Sequence, residues 1–186
     1  MSITLANICK NLDNPYKHVL EFGTASGDSL TTIRNHISYD YKVYGFDSYK
    51  GLPEDWTGTT AKKRFFDLGG VIPDKVKRLK DIKIFPGWFK DTIPQYLEEA
   101  DDIALLHIDC DLYSSTIDIL YSDIRKYIKA GTYIVFDEWF YNHVDLPENR
   151  QHEQKAFKEW VKDFGIKYRL LAPMELERQA VKILEV

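Results

Sequence analysis

IALLHIDCDLYSSTIDILYSDIRKYIKAGTYIVFDEW, residues Ile103 to Trp139, decides the fold. It opens with an apolar run of strand length, Ile103 to Ile108, passes through a helix-length segment, and returns to a second apolar run, Thr132 to Phe136. In a parallel sheet two such strands are neighbours, and their carboxyl ends share the edge where open α/β sheets bind ligands. Both ends are acidic: Asp109 and Asp111 follow the first run, Asp137 and Glu138 the second. Four carboxylates then converge on one crevice, and oxygen clusters of that kind suit a hard divalent cation such as magnesium. In the connecting segment Ser115 and Asp118 read as an S-x-x-D cap, and Ile117, Leu120, Tyr121, Ile124 and Ile128 share one helical stripe that Gly131 closes.

Outward from this unit, strand and helix signals keep alternating. Upstream, residues 3–11 read as a short helix, His18 to Phe22 as a strand, Gly23 to Gly27 as a glycine turn, and Asp28 to Ile37 as a helix with Leu30, Ile33 and Ile37 on one face. Lys42 to Phe46 and Ile82 to Phe85 are two further strands, separated by a long connection, Asp47 to Asp81, whose far end, Pro73 to Leu79, is helical. Asp91 or Thr92 caps the next helix, with Pro94 in its first turn. Downstream come a helix over Gln151 to Phe164 and two strands, Tyr168 to Ala172 and Gln179 to Leu184. Such alternation predicts a mostly parallel sheet with helices on both faces.

Composition bounds the rest. With 186 residues, 44% hydrophobic and 14% aromatic, the chain suits one domain spanning residues 1–186. A net charge of -4 argues against nucleic acid as a partner; Lys75, Lys77, Arg78, Lys80 and Lys83 read as a solvated helix face. Cys9 and Cys110 are too few for a disulfide framework and lack zinc-ligand spacing. The absence of a signal-peptide pattern and of any membrane-length apolar run leads to the expectation of a cytoplasmic enzyme-sized domain away from membranes.

The first strand and its turn, VLEFGTASGDS, place Glu21 at the strand end and Gly23 and Gly27 around a tight entry into a helix, where a ligand can approach the backbone. Ala25 stands where a dinucleotide fingerprint needs its second glycine, which weighs against NAD. Asp47 ends the second strand, at the position where an acidic side chain accepts hydrogen bonds from ribose hydroxyls. The same residues could instead serve only a tight turn and a loop cap. Trp88 and Phe89, after the third strand, offer rings that would flank an adenine or pack in the core. Tyr113 and Trp139 stand beside the acidic pairs, Tyr49 and Trp56 in a loop able to fold over them, with lining and packing both open. His107, inside an apolar run, reads as a packed core histidine, and His143 as a candidate for acceptor contact.

EFGTASGDS, FDSYKGLPEDW, GWFKDTIP, HIDCDLYSST and FDEW, in this order, resemble the macrocin O-methyltransferase family of class I S-adenosylmethionine (SAM) enzymes over roughly Val19 to Trp139. The resemblance implies a Rossmann-like, mostly parallel seven-stranded sheet with its last strand antiparallel and helices on both faces. It also implies a SAM site drawn from Glu21, Gly23, Thr24, Gly27, Asp47, Ser48, Trp88, Phe89 and Asp109, and magnesium on Asp109, Asp137 and Glu138. Asp109 and Asp111 carry the catalytic roles, Asp111 matching the general base; capping of the next helix is its competing role. Asp-Asp is the family's usual pair where this chain has Asp137-Glu138. The family's N-terminal segment is longer, and the acceptor side would then be covered by a second subunit. The tail with Arg150 matches no pattern of the family.

The implied reaction is methyl transfer from SAM to a hydroxyl of a sugar or other polyhydroxylated small molecule. A hydroxyl is a poor nucleophile at neutral pH, and a divalent cation that lowers its pKa answers that difficulty. Two other readings exist: a metal-dependent glycosyltransferase using D-C-D as its D-x-D, and a non-catalytic binding module of the same fold.

Overall fold

The computed structural model describes residues 3–141, 144, 145, 151–172, 174, 175 and 177–186. His143 and Arg150 lie outside the described residues. In chain order the elements are α1 (Leu5–Lys10), β1 (His18–Phe22), α2 (Asp28–His36), β2 (Lys42–Asp47), α3 (Asp74–Lys77), β3 (Ile82–Pro86), α4 (Phe89–Leu97), β4 (Ile103–Ile108) and α5 (Tyr113–Leu120). A 3₁₀ turn (Asp123–Tyr127), β5 (Tyr133–Phe136), β6 (Phe140–Tyr141), β7 (Val144–Asp145), α6 (His152–Phe164), β8 (Lys167–Leu170) and β9 (Gln179–Glu185) follow.

Seven strands form one sheet in the order β3-β2-β1-β4-β5-β9-β8; β1 to β5 run parallel and β9 is antiparallel to both of its neighbours. This is the Rossmann-like class I methyltransferase arrangement that the resemblance implies. Each inner strand alternates side chains between two apolar layers. Leu20 and Phe22 of β1 join Tyr96, Ile119 and Trp160 on one face, whereas Val19 joins Leu5, Leu30 and Ile33 on the other. Burial on both faces explains why β1, β4 and β5 read as continuous apolar runs. Strand order reverses between β1 and β4, which makes their carboxyl ends the topological switch point.

Three local expectations are corrected. The helix after β4 begins at Tyr113 with Leu112 at its cap position and no side-chain cap bond, so Ser115 lies inside it, buried, rather than capping it. Its first turn is satisfied from outside instead: the Tyr113 N–H donates to His152 Nδ1 of α6 at 3.3 Å. The stripe to Ile128 is broken, because α5 stops at Leu120 and Ser122 caps a separate 3₁₀ turn through the Ile124 N–H; Gly131 belongs to the turn before β5. Finally, α4 starts at Phe89 with Trp88 at its cap position, which puts Asp91 and Thr92 inside it and Pro94 in its interior rather than its first turn. The β6-β7 ribbon had no counterpart in the sequence reading.

Candidate functional site

The parallel ladder runs on past the strand ends. Gly23 N–H donates to the Phe46 carbonyl, Asp109 N–H to Phe22 and Asp137 N–H to Ile108, each at 2.9 Å, and Gly87 N–H to Asp47 at 2.8 Å. Gly23, Asp47, Asp109 and Asp137 are therefore neighbours along one sheet edge. All four line a cavity of about 580 Å³, within the roughly 300–1,000 Å³ of small-molecule sites.

At the acidic end, ligand-capable oxygens of Asp109, Asp137 and Glu138 lie within 4.8 Å of one another. Burial, followed by repulsion from neighbouring carboxylates, holds the Asp109 and Glu138 carboxyls well above the usual range. Asp137 goes the other way: burial would raise it, but His107 and Arg178 outweigh burial and lower it. Asp111 stands in left-handed backbone, φ 65°, and lines the cavity instead of capping α5, which removes its competing role. Burial first, then Asp137 and Asp47, push its pKa up to about 7. The donor set fits a hard divalent cation: it is all oxygen, and Glu138 Oε2 is buried without a hydrogen-bond partner among the described residues.

Beneath this cluster His107 is fully buried, its Nδ1 3.0 Å from a Glu21 oxygen and its Nε2 3.8 Å from Asp137. Burial opposes its protonation, yet the two carboxylates prevail and raise its pKa to about 10. His107 is the packed core histidine that the sequence suggests, with its two ring nitrogens turned toward Glu21 and Asp137.

At the other end, Gly23, Asp47, Ser48, Trp88, Phe89 and Asp109 line the cavity. Glu21, Thr24 and Gly27 stand behind that wall. Glu21 is wholly buried against His107, Thr24 shares a 2.8 Å hydrogen bond with the Tyr49 hydroxyl, and Gly27 caps α2 against Val76. Gly23 has a reason that spacing alone could not show: at φ +95° a Cβ there would sit 1.7 Å from the Asp109 carbonyl oxygen. The glycine lets two strand ends, as well as a ligand, approach. Both Asp47 oxygens accept backbone N–H groups, from Ala25 at 2.7 Å and Tyr49 at 2.6 Å, so Asp47 holds the loop while facing the cavity. Phe89 packs edge-on against Phe22 and also lines the cavity.

The loop after β2 covers one side through Leu52, Phe66 and Leu68. Tyr49 is buried beneath it, and Trp56 packs on a small cluster of Leu52, Ala61 and Leu112. Trp139 is core, against Phe136 and Phe157, and the Tyr113 hydroxyl donates to Glu159 of α6 at 2.5 Å; neither lines the cavity.

Two residues of the site escaped the sequence reading. Arg178 bonds Asp137 through its Nε. The signal for it lay in the register, because β9 pairs antiparallel with β5 at Phe136 and Gln179, which sets residue 178 opposite 137. Glu153 is fully buried and accepts N–H groups from both acidic strand ends. Its signal was a carboxylate on the apolar stripe of α6, one turn before Ala156 and Phe157 and two turns before Trp160.

The family model described as Macrocin-O-methyltransferase (TylF) matches residues 21–163. Among curated proteins, the chain is 30% identical over 121 residues to demethyldecarbamoylnovobiocin O-methyltransferase of Streptomyces niveus, covering 58% of this chain and 45% of that protein. It is 26% identical over 121 residues to the 8-demethyl-8-(2,3-dimethoxy-alpha-L-rhamnosyl)-tetracenomycin-C 4'-O-methyltransferase of Streptomyces olivaceus, with the same coverage. The chain spans about half the length of these relatives. Among solved structures, the O-methyltransferase NovP superposes with a TM-score of 0.74 at 24% identity over 97% of this chain and 79% of that one. A calicheamicin methyltransferase does so with 0.71 at 23% over 90% and 72%. These likenesses bear on the fold. With a family match that runs through both acidic strand ends and the glycine turn, the chain belongs to the macrocin O-methyltransferase family.

Proposed function

We propose that this chain transfers a methyl group from SAM to a hydroxyl of a sugar or other polyhydroxylated small molecule, with magnesium at the acidic end of its cavity. The observation that carries the reading is one shared cavity at the switch point, with Gly23, Asp47 and Trp88 on its wall together with Asp109, Asp111, Asp137 and Glu138. Membership of the family supports O-methylation, and one relative is named for methylating a rhamnosyl tetracenomycin, which supports a sugar hydroxyl as acceptor. Both observations favour this chemistry over glycosyl transfer.

When bound, SAM supplies an electrophilic methyl group and a divalent cation supplies positive charge that eases ionisation of the acceptor hydroxyl. Asp47 would take the ribose hydroxyls, since each carboxylate oxygen that already accepts one N–H keeps a second lone pair. Trp88 and Phe89 would bound the adenine with apolar surface. Asp109, Asp137 and Glu138 would hold the cation. Asp111, with a pKa near neutrality, would accept the hydroxyl proton, a role worth roughly 10²- to 10⁴-fold.

The test is transfer of labelled methyl from SAM to a panel of free and glycosidically linked sugars, in magnesium and in EDTA. Label in an acceptor that EDTA suppresses supports the reading. Magnesium-independent transfer overturns the cation's role, and transfer to nitrogen acceptors alone overturns the reaction class.

A further inference from the structure

We propose that Glu153 is a positioning residue that clamps the two acidic strand ends into one cation-binding geometry. The inference rests on the reading that Asp109, Asp137 and Glu138 hold a divalent cation. The β4-β5 ladder ends where the Asp137 N–H meets the Ile108 carbonyl. Beyond that point the chains diverge, one toward α5 and the other toward the β6-β7 ribbon.

Glu153 reaches across from α6. Its Oε1 accepts the Cys110 N–H at 3.1 Å and the Asp111 N–H at 3.2 Å, and its Oε2 accepts the Glu138 N–H at 3.2 Å. Each oxygen thus serves a different strand end, at the residues that flank or carry the carboxylates. One rigid side chain, fully buried, sets the separation of Asp109 and Asp111 from Glu138. It also fixes the peptide entering Asp111, whose left-handed backbone aims its side chain at the cavity wall.

Helix packing does not ask for a carboxylate here. The neighbours of Glu153 along the same stripe, Ala156, Phe157 and Trp160, are all buried, Phe157 and Trp160 in the sheet's apolar layer, where an apolar side chain would fit at lower desolvation cost. What an apolar residue could not do is satisfy three N–H groups belonging to two other segments. The carboxylate answers the loops, not the helix.

The test uses Glu153→Gln and Glu153→Met, with manganese as the cation probe and S-adenosylhomocysteine as the cofactor probe, both by calorimetry. Gln keeps the volume but turns an amide donor toward one of the N–H groups, and Met removes every acceptor. Both variants are expected to bind S-adenosylhomocysteine within about twofold of the parent, because Gly23, Asp47 and Trp88 are held by other elements. Manganese affinity is expected to fall about 10- to 100-fold, the usual consequence of losing a group that orients ligands. Amide exchange at Cys110, Asp111 and Glu138 in metal-free protein should speed up in step. If Met fails to fold, Gln decides alone. Unchanged manganese affinity in a variant whose parent binds manganese overturns the clamp and leaves the cation site standing. A parent that binds no manganese overturns both.

Discussion

Replacing Asp111 with Asn should stabilise the metal-free protein at alkaline pH while lowering the proposed methyl transfer roughly 10²- to 10⁴-fold. The folded chain raises this carboxyl from 3.8 to about 7 through burial and through Asp137 and Asp47. Between those values the unfolded chain is ionised and the folded one still holds its proton, so stability is fully present below about pH 4 and drains away as pH rises toward 7. About three pH units at ~1.4 kcal/mol each put the loss on the order of 4 kcal/mol, an upper value because counter-ions and side-chain relaxation soften it. Asn carries no charge and tolerates the left-handed backbone found here, φ 65°, so the change adds little strain of its own. Urea unfolding in EDTA, followed by circular dichroism from pH 4 to 9, reads the difference. The variant should exceed the parent by about 2–4 kcal/mol at pH 8, with the gap closing toward pH 4. A variant no more stable at pH 8, or a gap insensitive to pH, would refute the electrostatic reasoning. Magnesium on Asp109, Asp137 and Glu138 should narrow the gap, because a nearby cation favours the ionised Asp111 that only the parent carries.

Three other substitutions probe separate parts of the site. Asp109→Ala should fold and lose magnesium-dependent turnover; normal turnover in a methyl-transfer assay would eliminate the metal mechanism. Gly23→Ala, with a Cβ placed 1.7 Å from the Asp109 carbonyl at a φ that side chains disfavour, should cost several kcal/mol, about the range of severe overpacking, and a melting temperature near the parent's would contradict that. Trp88→Ala should weaken S-adenosylhomocysteine about tenfold in titrations while leaving manganese affinity alone, since Trp88 lines the cavity but belongs to α4's entry and not to an acidic strand end.

What was legible in the sequence was whatever repeats locally. Buried runs of strand length marked β1, β4 and β5 because inner parallel strands are covered on both faces, and the acidic residues at Asp109, Asp111, Asp137 and Glu138 inherited their position from the strands before them. Side chains that matter through distant partners were hidden. Glu153 lies 42 residues from Asp111, to which it is bonded, and its meaning appears only once α6 is laid across both strand ends. Arg178 is 41 residues from Asp137 and needed the antiparallel order of β9. The misread start of α5 has a like cause: a helix capped from outside, by His152, carries no capping motif of its own. Gly23 was legible as a turn, but the close neighbour that requires it is the Asp109 backbone, which a spacing argument does not contain.

Calorimetric titration of the purified chain with S-adenosylhomocysteine, once with magnesium and once with EDTA, tests the central claim most directly. Saturable one-site binding in both conditions is the predicted result, because Gly23, Asp47 and Trp88 do not depend on the acidic end for their placement. No heat of binding in either condition would contradict it.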